Sequence, residues 1–267
     1  MELSIVIVSH NARTDLANCL DSLLLHPTSV EHEIIVVDNA STDGSQEIAE
    51  ARRGVRVIRS ATNAGFAVAN NIGIRSGTGK TILLLNSDTI VPPGAVDGVL
   101  RRLAVEPDVA VIGPRLVDGR GRAELSFGPM LTPWNEWHRQ RLFRRLAAND
   151  PASVAEVERV TKVEQRPDWV TGACLFVRRA DGEAVGLLDE RFFMYTEDVD
   201  FCASIRARGR KVLFIPNVEV VHLRGRSAAG ASAATREAYT RSHLAFYRKH
   251  RPVYVPLLLL YRMLWRG

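Results

Sequence analysis

The chain has 267 residues, 46% apolar and 24% charged, with a net charge of +5 at neutral pH. Enough apolar surface exists to offset ordering entropy, which excludes a disordered chain, and 19 Gly with 12 Pro exclude collagen-like and low-complexity classes. Three scattered cysteines without a CxxC pair (Cys19, Cys174, Cys202) argue against a disulfide framework or structural zinc and fit a reducing compartment.

No basic stretch precedes the first apolar run, so no secretory leader is expected. No apolar run reaches 18 residues, so no bilayer-spanning helix is expected either. In chain order, Leu3–Ser9 reads as a buried strand. A helix follows, with Leu16, Cys19, Leu20, Leu23 and Leu24 on one face. Strands are expected at Glu33–Asp38, Val55–Ser60, Thr81–Asn86 and Val109–Gly113, with helices at Ser41–Arg53, Ala64–Ser76 and Gly94–Ala104. Continuous apolar strands alternating with helices predict an α/β fold built on parallel strands covered on both faces.

The rhythm breaks near Val117. Residues 118–167 hold two Trp and a basic cluster (Arg139, Arg141, Arg144, Arg145), and read as an insertion on the substrate side of a domain spanning 1–232. Order resumes with a strand at Trp169–Val177, a helix at Asp198–Arg208, and short strands at Lys211–Ile215 and Val218–His222. Residues 233–267 form a basic helical tail ending in VPLLLLYRMLW.

Charge is unevenly spread. Residues 1–60 carry five basic and nine acidic side chains, whereas 201–267 carry thirteen basic and two acidic. The basic end suits anionic lipid, diphosphate or nucleic acid, or else is a plain solvated surface. The tail is too short to span a bilayer; interfacial contact, core packing and a homodimer contact all remain open for it.

GTGKT at Gly77–Thr81 looks like a phosphate loop but is not one. Ile74 stands where the first glycine belongs, and the segment ends a helix instead of opening one. The first strand also lacks a GxGxxG turn. Ligands of α/β sheets collect outside the carboxyl ends of strands. Asp38 and Asp88 both emerge there: Asp38 suits a base N–H or ribose hydroxyl, and Asp88 a hard divalent cation. Glu197, Asp198 and Asp200 crowd the start of one helix. Packed carboxylates raise one another's pKa, as a general base requires, although acids also favour helix N-termini for electrostatic reasons. His222 ends a strand beside Arg224, Arg226 and Ser227, a grouping suited to a metal or a diphosphate.

Taken together, SIVIVSHN, VDNASTDGS, NAGFAVANNIG, LLLNSD, WVTGACLFVRR, FFMYTEDVDFC and the later His222 closely resemble the inverting family-2 glycosyltransferases, in particular a rhamnosyltransferase-like branch. The resemblance implies a GT-A fold: a Rossmann-like, mixed but mainly parallel central sheet flanked by helices, with the helical tail appended. It implies a nucleoside-diphosphate-sugar donor (dTDP-rhamnose or a UDP-sugar), Mg2+ or Mn2+, and a glycan or polyprenyl-diphosphate-linked acceptor in cell-wall or surface polysaccharide synthesis. It assigns Ser9, Asn11, Asp38, Asn63, Gly65, Asn71, Asn86 and Arg224 to the donor, Asp88 and His222 to the metal, and Asp198 to the catalytic base with Glu197 beside it. Gly73 falls in the donor stretch, and Trp169 and Gly172 fall where the family shapes its sugar pocket. The first Asp of the family's DxD pattern is Asn86 here, which lowers the negative charge of the site. The enzyme is expected in the cytoplasm, peripherally on the inner face of the plasma membrane, without a nucleic-acid partner. The rival reading is a non-catalytic nucleotide-sugar or carbohydrate-binding protein.

Overall fold

The structure is a computed structural model that describes residues 1–223 and 233–264, with side chains over 1–223 and 237–260. The first half runs β1 (Leu3–Ser9), α1 (Arg13–Leu25), β2 (His32–Asp38), α2 (Ser45–Glu50), β3 (Val55–Arg59), α3 (Phe66–Ser76), β4 (Thr81–Asn86), β5 (Thr89–Ile90), α4 (Ala95–Ala104) and β6 (Val109–Val117). The second half runs β7 (Phe127–Gly128), α5 (Pro133–Ala147), α6 (Pro151–Val160), β8 (Trp169–Val170), β9 (Cys174–Arg178), α7 (Arg179–Ala184), α8 (Glu197–Ala207), β10 (Lys211–His222) and α9 (Ala233–His250). A 3-10 turn, Pro252–Tyr254, leads into α10 (Val255–Leu264).

Eight strands form one sheet in the order β3-β2-β1-β4-β9-β6-β10-β5, and β7 pairs with β8 apart from it. The sheet is mixed: β9 runs antiparallel to both β4 and β6, and β5 antiparallel to β10. All seven residues of β1 are buried, because helices cover both faces. Alternation along β1 sends Leu3, Ile5 and Ile7 into a core shared with α1 and α4. Val6 faces a second core, with Ile74 of α3, Phe201, Cys202 and Ile205 of α8, and Phe246 and Tyr247 of α9. Chain order reverses around β1, which lies between β2 and β4, so the carboxyl ends of these strands form one rim. Register fixes the neighbours there, pairing Ser9 with Asp38 and Val8 with Asn86.

Four stretches depart most from the sequence reading, each for a local reason. The helix expected from Ser41 begins at Ser45. Asp43 accepts from Ser45 N (3.0 Å) and Arg13 N (2.9 Å), which holds 41–44 as a turn. The strand expected at Val109–Gly113 continues to Val117, paired with β10. The strand expected at Trp169–Val177 breaks over 171–173, where the backbone turns toward the α8 carboxylates. The two short strands expected at Lys211–Ile215 and Val218–His222 are one strand, irregular between Ile215 and Glu219, where Pro216 cannot join the hydrogen-bond ladder. Residues 118–167 carry β7, α5 and α6, and Phe127, Met130 and Leu131 pack into the second core.

The GTGKT segment turns from α3 into β4 at the end of the sheet away from the rim. A side chain at Gly79 would lie 2.3 Å from Ser4 N, so close backbone packing, not phosphate, explains this glycine. The three thiols are free and buried, and burial pushes those of Cys19 and Cys202 up to about 12 and that of Cys174 up as well. Ellman's reagent is expected to leave all three unmodified in the native protein and to titrate three in denaturant; fast native labelling would contradict this packing.

Candidate active site

A cavity of about 910 Å3 opens at the carboxyl rim of the sheet. Its wall includes His10 and Asn11 after β1, Asn39 after β2, Asn63 and Phe66 at the start of α3, and Asn86–Asp88 after β4. His222 closes one end. Thr171–Ala173, the first turn of α8, and Glu136, Arg139, Gln140 and Phe143 of α5 close the rest. Asp88, Asp198 and His222, between 24 and 134 residues apart in the chain, thus face one cavity.

At the β1–β2 end, polar side chains brace loops. Asn39 Nδ2 donates to Asn63 Oδ1 (2.8 Å), and Asn39 Oδ1 accepts from Ala64 N (3.0 Å). His10 Nδ1 donates to Asn39 O (2.8 Å), and Asn11 Oδ1 accepts from Thr42 N (2.8 Å). Asn11 and Asn63 therefore reach the wall, but the side-chain oxygen of each serves a loop.

Ser9, Asp38, Gly65 and Asn71 do not line the cavity. Ser9 and Asp38 are buried behind Val8, His10 and Asn39, since side chains alternate across a strand. Asp38 Oδ2 accepts from Ser41 N (3.1 Å), while Asp38 Oδ1 and Ser9 Oγ have no hydrogen-bond partner among the described residues. A buried, unsatisfied acceptor costs about 1–3 kcal/mol, and a ligand N–H or hydroxyl would relieve it. Gly65 (φ +91°) is a backbone device: a Cβ there would lie 2.5 Å from Phe193 O, to which Phe66 N donates at 2.7 Å. Asn71 sits a turn deeper in α3 and latches the loop before α8. Its Nδ2 donates to Leu188 O (2.8 Å) and Glu190 (2.9 Å), and its Oδ1 accepts from Leu188 N (3.1 Å). Gly73 lets α3 approach β1, where a Cβ would meet Val6 at 2.4 Å.

At the β4 end, antiparallel pairing of His222 with Thr89 sets the imidazole against Asp88. His222 Nε2 lies 3.3 Å from Asp88 Oδ1 and 3.4 Å from Asn86 Nδ2. Its Nδ1 donates to Glu124 Oε2 at 3.1 Å. Burial pulls the imidazole pKa down, but hydrogen bonds to Asp88 and Glu124 outweigh it and raise the value to about 9. Among the described residues, no group of three or more His, Cys, Asp or Glu forms a self-sufficient metal cage. A carboxylate and an imidazole whose far nitrogen is held by a second carboxylate nevertheless fit a hard divalent cation that keeps water and phosphate oxygens as its other ligands. Arg224 and Arg226 lie outside the described residues. Glu124 carried no signal in the sequence, because β6 and the following turn bring it to His222.

The third wall is the start of α8. Tyr195 (φ +68°) and Thr196 (φ +65°) are left-handed in succession, a costly conformation that aims the first helical turn into the cavity. Asp198 Oδ2 accepts from Gly172 N (2.9 Å) and Oδ1 from Val199 N (2.8 Å). Burial raises its pKa above the usual carboxylate range, while those N–H groups and the Arg139 charge oppose the rise. Glu197 is also pushed up, by burial and then by the Asp198 charge, and its Oε2 has no hydrogen-bond partner among the described residues. Two carboxylates crowded into one buried site disfavour being ionised together. Asp200, the third acid of the cluster, turns away to Lys249 (2.8 Å) and His250 (2.6 Å) and fastens α9. Arg139 lies over the Trp169 ring at 4.5 Å, inside the cavity. An ionised carboxylate with raised pKa can accept a proton, and a cation held by Asp88 and His222 can neutralise an anion in the same space.

Comparison with known proteins gives the family and the fold. The Glycosyl transferase family 2 model matches residues 4–154, and the Glycosyl transferase family group 2 model matches 81–267. The chain is 28% identical over 294 aligned residues to an N-acetylglucosaminyl-diphospho-decaprenol L-rhamnosyltransferase of Mycobacterium tuberculosis, covering 99% of this chain and 87% of that protein. The mannosyltransferase PcManGT from Pyrobaculum calidifontis, solved with GDP-Man and Mn2+, superposes with a TM-score of 0.63 at 17% identity, covering 96% of this chain and 68% of that one. GalNAc-T7, solved with UDP, GalNAc and Mn2+, gives 0.64 at 18% identity, covering 91% and 47%. These two similarities establish the fold, which is GT-A. With both family models covering more than half of the chain and a glycosyltransferase relative along nearly all of it, the protein belongs to glycosyltransferase family 2.

Proposed function

We propose that the protein transfers a sugar, rhamnose in the first instance, from a nucleoside-diphosphate sugar to a hydroxyl of a polyprenyl-diphosphate-linked glycan, with inversion at the anomeric carbon. One observation carries this reading: Asp198 faces the same cavity as the Asp88–His222 pair. The relative at 28% identity supports rhamnose and a lipid-linked acceptor by its name.

Asp198 takes the proton of the acceptor hydroxyl as its oxygen attacks the anomeric carbon. The Gly172 and Val199 N–H groups hold both carboxylate oxygens in place. Burial of Glu197 raises its pKa and so disfavours a second negative charge beside the attacking oxygen. Asp88 and His222 would hold Mg2+ or Mn2+, which when bound supplies positive charge to the diphosphate leaving group. The orphaned Asp38 oxygen and the Ser9 hydroxyl suit a nucleoside just behind the present wall. No protein nucleophile is needed, because one displacement accounts for inversion. Residues 118–167 then form the acceptor side of a 1–232 catalytic domain.

The test is a panel of nucleotide sugars offered with N-acetylglucosaminyl-diphospho-polyprenol and Mn2+, reading nucleoside diphosphate release and product mass. A deoxyhexose added from dTDP-rhamnose is expected. Tight donor binding with no nucleoside diphosphate released on any acceptor would favour a non-catalytic binding protein instead.

A further inference from the structure

Helix α5 has two working faces. None of its 15 residues is buried. One face lines the cavity with Glu136, Arg139, Gln140 and Phe143. Glu136 is also bonded to His243 and Tyr247 of α9. The other face holds Trp134, Trp137, His138, Arg141, Arg144 and Arg145. At 100° per residue these six positions fall within an arc of about 120°.

That outward stripe is unusual for solvent. Trp134 is 67% and Trp137 50% exposed, with their rings stacked at 5.5 Å. Arg141 lies over the Trp137 ring at 5.7 Å. The only acid of the helix, Glu136, is on the opposite face, so the stripe carries three guanidinium groups and no carboxylate of its own helix, although Arg145 pairs with Asp150 just beyond it (2.8 Å). Indoles seek a boundary that is apolar on one side and wet on the other, and arginines beside them seek anions. A second exposed apolar group lies nearby in the packing: Tyr247 contacts both Glu136 of α5 and Tyr254, and the segment after Arg251 exposes Val253, Leu257 and Leu260. Among the described residues no helix is long and apolar enough to cross a membrane.

We propose that the outward face of α5 docks the enzyme on an anionic lipid bilayer, with its indoles at the headgroup boundary and its arginines on lipid phosphates. Because the opposite face of the same helix lines the cavity, docking sets the cavity at the membrane surface. A lipid-linked acceptor then reaches Asp198 without leaving the bilayer. This last step rests on the acceptor class proposed above; the docking itself rests only on the stripe.

Flotation of the full chain with phosphatidylcholine vesicles, with and without about one third phosphatidylglycerol, tests it. The wild type is expected to float with the anionic vesicles and not with the neutral ones. W134S/W137S and R141E/R144E are each expected to lower the bound fraction about tenfold or more. Both variants keep the wild-type melting temperature and unchanged transfer to a water-soluble acceptor fragment, and lose transfer to acceptor embedded in vesicles. Normal flotation of both variants, or no flotation of the wild type, overturns the proposal. So does a wild-type dimer or a nucleic-acid complex that W134S/W137S abolishes in the absence of vesicle binding. Flotation that follows the stripe without glycosyl transfer to any acceptor keeps the docking and removes the proposed function alone.

Discussion

Asp198→Asn is expected to lower turnover by about 10^2–10^4-fold while leaving donor affinity close to that of the wild type. The amide matches the carboxylate in shape and cannot accept the proton. It also cannot accept from both Gly172 N and Val199 N, so one of these donors loses its partner. That costs about 1–3 kcal/mol of stability, read as a lower melting temperature in an otherwise folded protein. Steady-state kinetics with isothermal titration of the donor separates the two effects. The pH profile gives the sign. The base works when ionised, so wild-type turnover falls as pH drops through the pKa of Asp198, which burial places above the ordinary carboxylate value. The acidic limb therefore lies above the range in which an ordinary aspartate titrates, and it disappears from the residual activity of Asp198→Asn. Near-normal turnover in the variant would remove Asp198 as the base.

Asp88→Ala is expected to have an effect of at least the same size but of different character. It removes the carboxylate that pairs with His222 and faces the cavity, so it acts on neutralisation of the diphosphate and not on proton removal. Turnover should fall about 10^3-fold or more, with Mn2+ dependence shifted to much higher concentration and donor binding weakened. Glu124→Gln should be milder. It leaves both cavity-facing groups and only loosens the hold on His222 Nδ1, which predicts about a 10–100-fold loss in Mn2+ affinity. Mn2+ titrations of activity, with donor binding measured separately, distinguish the three variants. An Asp88→Ala protein with wild-type Mn2+ dependence would contradict this assignment.

Much of this site was visible in the chain before folding. The apolar runs of β1, β2 and β4 mark buried strands, and the rule that ligands gather at carboxyl ends of strands then singles out Asp88 and the region of Asp38. Glu197 and Asp198 stand out as acids crowded at one helix start, and His222 as a strand terminus. The sequence could not say that Asp200 points the other way, because that depends on Lys249 and His250 returning from α9. The resemblance places Gly65 and Asn71 at the donor, but glycine and asparagine serve both ligands and backbone. Only the approach of Phe193, and the Leu188 backbone that Asn71 grips, separate the two uses. Glu124 escaped notice because it lies in the turn after β6 and meets His222 only through the fold, and Arg139 read only as one member of a basic cluster. Helix α5 shows this most plainly: with no buried residue, it has no buried stripe to announce it.

The most direct measurement is a crystal structure of the protein with Mn2+ and a non-transferable nucleoside-diphosphate sugar. The diphosphate should sit against Asp88 and His222, with the anomeric carbon presenting its free face to Asp198. A donor bound elsewhere on the molecule, or one whose leaving diphosphate lies on the Asp198 side of the sugar, would contradict this account.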